Sequence, residues 1–150
     1  MNYIKGSKGF IQAVHKAALE EVGWRLIKYS AVGDPTLWHP PYWPKGYSPG
    51  HLRANWQVGI DSKPAGEIKG VDPMGYKTQE RYKFGRWTIN HKFYFVNTAP
   101  YSYRIETGTH STQVPPGGMV GRVKREWRQI VQQAAMDVRS TGKWRNQGTE

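Results

Sequence analysis

Four prolines fall between Pro35 and Pro44, inside the stretch GDPTLWHPPYWPKGYSPG at residues 33–50. Proline fixes φ and has no N–H to donate, so this stretch can be neither a helix nor a central strand. It ends whatever helix precedes it and separates the N-terminal part of the chain from everything that follows. It also carries Trp38, Tyr42 and Trp43 and is too aromatic for a plain flexible linker. The composition predicts an extended arm or ordered loop at 33–47 that lays these rings on a surface. That surface belongs either to its own domain or to a neighbouring subunit.

Before the prolines, Ile11, Val14, Ala18, Val22, Leu26 and Tyr29 recur at helical spacing, with Ser7 as a candidate cap. This predicts a helix over 9–29. A second helix follows Pro115-Pro116-Gly117-Gly118. Its stripe is Val120, Val123, Trp127, Ile130 or Val131, Ala134 and Val138, with Arg122, Arg125, Gln129, Gln132 and Gln133 on the polar side. Between the two, His51–Asn55 reads as a short helical turn, and Trp56–Ile60, Tyr82–Ile89 and Phe93–Asn97 read as strands. Residues 61–80, with Pro64, Gly66, Gly70, Pro73 and Gly75, read as a long loop or loose hairpin. Tyr101–Thr107 reads as a short helix ended by Gly108. The expected fold is α+β: two long helices packed on a small antiparallel β-sheet, with long loops. The length of 150 residues suits one domain, taken as 1–139, followed by a polar, mobile tail at 140–150.

Composition narrows the function classes. There is no cysteine, so disulfides and thiolate metal sites are excluded. No apolar run approaches the roughly 18 residues needed to span a bilayer, and the N-terminus lacks a signal-peptide stretch, so a soluble protein made in the cytoplasm is expected. The net charge of +11 attracts polyanions or acidic protein faces. Seven Trp and nine Tyr exceed what a small core hides, which points to contact surface.

No catalytic constellation is visible. HExxH, P-loop and GxGxxG patterns are absent, and the histidines stand singly at 15, 39, 51, 91 and 110. Glu106 and His110 share RIETGTH, but Gly108 ends the helix that would align them as an acid–base pair. Asp61 and Asp72 lie in loops with no partner nearby in sequence. The sequence therefore predicts a non-enzymatic protein with no metal and no cofactor. RYKFGRWTINHKFYF at 81–95 interleaves Arg81, Lys83, Arg86 and Lys92 with aromatics. That chemistry suits single-stranded nucleic acid or an acidic partner, although no recognised nucleic-acid motif accompanies it.

Two passages carry a resemblance. Ser48-Pro49-Gly50-His51-Leu52-Arg53-Ala54-Asn55-Trp56-Gln57-Val58 resembles the DTG-x-L-R-x-S-W passage of phage tail-component proteins. Val96-Asn97-Thr98-Ala99-Pro100-Tyr101-Ser102-Tyr103-Arg104-Ile105-Glu106-Thr107-Gly108-Thr109 resembles the N-x-x-P-Y-A-x-x-I-E-x-G-T passage of the same family. Gln113-Val114-Pro115 and Gly118-Met119-Val120 resemble its Q-A-P-x-G-M-V entry to the last helix. The departures are Ser48-Pro49 in place of Asp-Thr, the aromatic insert at 33–47 and the loop at 61–80.

The resemblance implies a structural virion protein of a tailed bacteriophage, a tail-completion, tail-terminator or neck subunit at the head–tail joint. Such proteins form rings, often hexamers, around the DNA channel. The implied partners are further copies of the chain and neighbouring neck and tail proteins such as the connector or stopper and the tail-tube protein. DNA would pass nearby without specific binding, and no membrane is involved. On this reading Trp38, Tyr42 and Trp43 contact a neighbouring subunit or ring. Gly50, Leu52, Arg53, Trp56, Asn97, Pro100, Tyr101, Glu106 and Gly108 shape the motifs, with Glu106 expected to pair with an arginine, Arg53 being a candidate if the two passages meet. The basic charge would face DNA or acidic ring surfaces, the latter favoured because DNA must slide past.

Overall fold

The computed structural model describes residues 2–33, 49–84, 89–108 and 113–142. The order is α1 (Asn2–Tyr29), α2 (His51–Ala54), β1 (Trp56–Ile60), α3 (Tyr76–Glu80), β2 (Phe93–Asn97), α4 (Ser102–Thr107) and α5 (Met119–Thr141). The fold is α+β: the two long helices α1 and α5 pack together beside a small antiparallel sheet of two strands among the described residues. Trp38, Tyr42, Trp43, Arg86 and His110 lie outside the described residues, as does the C-terminal segment 143–150.

α1 begins at Asn2, so Ser7 lies within the helix and not at its start. Its buried face carries Ala18, Leu19, Val22, Leu26 and Ile27. Ile11, expected on that face, is 57% exposed, and Gln12 is buried instead. The cause is local. The Gln12 side chain accepts the Ile89 N–H at 3.3 Å, so a polar group, and not Ile11, meets the chain that crosses the helix there.

α5 buries Met119, Val123, Ile130 and Ala134, whereas Trp127, placed on the stripe by its spacing, is 44% exposed. The seam is turned toward the neighbouring Glu126, which α1 holds through Arg25 and Tyr29. α5 also continues through Ser140 to Thr141, past the boundary its composition suggested.

β1 and β2 pair antiparallel, Trp56 opposite Asn97, Val58 opposite Phe95 and Ile60 opposite Phe93. The strand expected from Tyr82 is not formed by its described residues: Tyr82 is in a turn, Lys83 and Phe84 are irregular, and Ile89 is in another turn. Tyr82 and Phe84 are both buried, Phe84 at 4.9 Å edge-to-face on Phe93 and Tyr82 at 5.6 Å from Phe95. The Phe84 N–H goes to the Glu20 carboxylate and not to a neighbouring strand. The β-like pattern of aromatics here reports packing across the sheet, not membership of it.

The 61–80 segment ends in a helix, α3, that its composition did not suggest. Asp72 organises it: the carboxylate accepts the N–H groups of Gly75 and Thr78 and the Thr78 hydroxyl at 2.7–3.1 Å. Burial opposes ionisation of Asp72, yet these hydrogen bonds hold it below the usual carboxylate range.

Candidate functional site

The residues of the two resembling passages meet around the joint between α2, β1 and α4. Gly50 starts it with φ 101°. A Cβ there would approach the Pro73 nitrogen to 2.5 Å, so both the conformation and the crowding require glycine. The Gly50 N–H donates to Val32 O, and its own carbonyl accepts from Ala54 and Asp72. Leu52 is buried, and Trp56, 2% exposed, donates its indole N–H to the Ser30 hydroxyl at 2.7 Å. β1 is thereby fastened to the end of α1.

Asn97 is the bridge between the passages. Its amide donates to Leu52 O at 2.8 Å, and its side-chain oxygen accepts the Ala99 N–H at 3.0 Å. Beside it, fully buried Asn55 uses both ends of its side chain. It donates to His51 O and Ile68 O and accepts from the Ile68 N–H and the Thr98 hydroxyl, all within 3.1 Å. One amide thus ties α2, the 61–75 loop and the end of β2 together. His51 adds to the knot, one ring nitrogen engaged by Gly70 O and the other by Glu67.

Arg53 and Glu106 do not pair with each other. Arg53 donates to the carbonyls of Ser30 and Pro73. Glu106 accepts the N–H groups of Met119, Val120 and Gly121 at 2.7, 3.2 and 3.1 Å. It is a cap supplied from α4 to the first turn of α5, whose N–H groups have no partner within the helix and carry partial positive charge. Gly118, φ 90°, makes room for it, since a Cβ would meet the Glu106 carboxyl carbon at 2.5 Å. Gly108 closes α4 in an extended conformation. Pro100 and Tyr101 sit on the surface at the entry to α4.

Of the basic stretch at 81–92, residues 81–84 and 89–92 are described. Tyr82 and Phe84 face the core, and Arg81 donates to the carbonyls of Ala54 and Trp56. Lys83 pairs with Glu80 at 2.9 Å, and Lys92 is exposed next to Asp61, which accepts its backbone N–H.

A second polar cluster joins the long helices. Glu126 receives Arg25 at 2.5 Å, the Tyr29 hydroxyl at 2.7 Å and Arg122 at 2.7 Å. Burial alone would raise its pKa, but the hydrogen bonds from Arg122, Tyr29 and Arg25 outweigh it and hold the carboxyl at about 2.

Asn55, Asp72, Thr98 and Glu126 were not legible as key residues. Asp72 did carry a signal, because Asp-Pro ahead of a helical turn is a start signature. Glu126 has Arg122 four residues before it, but its Arg25 and Tyr29 partners, like Ile68 and Thr98 for Asn55, come from elsewhere in the chain. Among the described residues no group of three or more His, Asp or Glu side chains could hold a metal ion, and no helix is long and apolar enough to cross a membrane. No protein-family model matches the chain, and neither a curated protein nor a solved structure matches it.

Proposed function

We propose that the chain is a structural virion protein of a tailed bacteriophage, a ring-forming subunit at the head–tail joint or tail end that caps the tail tube and joins it to the head. The supporting observation is how the residues behind the resemblance are used. Gly50, Leu52, Arg53, Trp56, Asn97 and Glu106 each make a turn, a core contact or a hydrogen bond between elements. Such residues set a rigid frame, as a subunit of fixed shape requires. In this reading Trp38, Tyr42 and Trp43 supply the repeated contact of a closed ring, in which every joint is the same heterologous interface. Burying one such aromatic contributes about 2–3 kcal/mol per joint.

The test replaces residues 34–47 with a short Gly-Ser linker. Native mass spectrometry and electron microscopy then compare both proteins, alone and with the tail-tube protein of the same genome. The wild type is expected to form closed rings, and the variant to keep the wild-type circular dichroism yet stay monomeric. A wild type that forms no ring in either setting overturns the reading. A variant that still assembles removes the aromatic contact and leaves the rest.

A further inference from the structure

Every carboxylate among the described residues has a partner inside the molecule. Some of these pairs neutralise Arg25, Lys83 and Arg122, and much of the positive charge that remains lies on α5. From Met119 to Met136 the helix has one acidic residue, Glu126, and that side chain is turned onto Arg25 and Tyr29 of α1. The opposite side carries Lys124, Arg125 and Arg128, all exposed, with exposed Gln129 and Gln132 beside them. At about 100° and 1.5 Å per residue, Lys124 and Arg128 lie one above the other about 6 Å apart, with Arg125 on their flank. Arg125 is steadied by a hydrogen bond to Pro116 O at 2.8 Å.

We infer that this solvent face of α5 is a docking surface for the phosphate backbone of double-stranded DNA, held without base readout. A protein partner would favour an apolar or aromatic centre ringed by polar groups. Here the centre is cations and amides, the donor types that contact phosphate. The half-exposed Trp127 lies at the border with the buried stripe. Contacts of this kind act by counterion release and let a protein slide along the duplex. That property suits DNA in transit, but the inference does not rest on the ring reading, because binding is read on the isolated chain.

The experiment measures binding of the full chain to a random-sequence fluorescent duplex by anisotropy across a salt series. The variant Lys124→Gln/Arg128→Gln is set against Lys83→Gln/Lys92→Gln, which removes the same net charge from the 81–92 stretch. All four side chains are exposed, and thermal melts check that both variants stay folded. Each phosphate contact contributes about 0.9 to the slope of log affinity against log salt, so the α5 pair should lower the slope by about 2. Between about 50 and 200 mM salt the fall in affinity then shrinks about tenfold. The second variant should leave the slope nearly unchanged. Equal losses in both variants would mean that only net charge matters, and the assigned face would be wrong. A chain that ignores the duplex but binds polyglutamate through Lys124 and Arg128 would overturn DNA in favour of an acidic protein.

Discussion

The α1–α5 pair and the unit built from 49–84 and 89–108 are held together by different means. The helix pair is an apolar seam of Leu19, Leu26, Val123 and Ile130 with one ionic clasp at Glu126. The smaller unit has a two-stranded sheet and three short helices, none of which would be stable alone. It is fixed by side chains that bond backbone: Asn55, Asp72, Asn97, Arg53 and Arg81. The seam rests on area removed from water, which is tolerant of detail. The knot rests on hydrogen bonds whose loss leaves buried groups unpaired, which is not.

The largest effect should come from cutting the knot. Asn55→Ala leaves both the N–H and the carbonyl of Ile68 without their partner and opens a small void. The expected loss is about 2–3 kcal/mol: several hydrogen bonds at about 0.5–1.5 kcal/mol each are lost, and the partly buried Ile68 groups turn to water. Urea unfolding gives the loss, and hydrogen exchange shows where it falls. Residues 61–75 should exchange faster while the α1–α5 seam stays protected. If the two regions open together, they are one cooperative unit and the contrast fails.

A medium effect belongs to the clasp. Glu126 titrates near 2 in the folded chain against an ordinary 4.5, so the unfolded state takes up protons first as pH falls. The clasp's contribution is complete above about pH 4.5 and is lost between there and about pH 2. Thermal melting temperature should fall through this window in the wild type and fall less in Glu126→Gln. Parallel curves would mean that other carboxylates carry the acid sensitivity.

The smallest effect is expected at Tyr82, 1% exposed, whose hydroxyl has no hydrogen-bond partner among the described residues. Burial pushes its pKa up, because an ionised phenolate there would be poorly solvated. Tyr82→Phe removes an unsatisfied polar atom without changing the packing on Gly23. Stability should be unchanged or raised by up to about 1 kcal/mol. A destabilisation larger than that would reveal a partner for the hydroxyl.

What was legible in the sequence follows the same division. α5 and most of α1 were readable because burial repeats with the period of the helix, and β1 and β2 because aromatic and branched residues cluster there. The failures at Ile11 and Trp127 arise where a polar neighbour, Gln12 or Glu126, found a distant partner and turned the face. The Glu106–Arg53 pairing failed because charge alone suggested it. The free N–H groups that open α5 form a site for a carboxylate that composition does not display. Asn55 looked like one residue of a short turn, and only the return of the chain at Ile68 and Thr98 gives its amide a role.

The hydrogen bond from Gly50 N–H to Val32 O at 3.1 Å has a consequence for how this chain can change. It joins the chain on either side of residues 34–48 and, with Trp56 on Ser30, fastens α2 and β1 to the end of α1. Lengthening a closed excursion is inexpensive, about 0.6 kcal/mol for each doubling. On the proposed ring reading, the length and chemistry of the segment between Val32 and Gly50 can therefore change to suit a different neighbour at little cost to that closure.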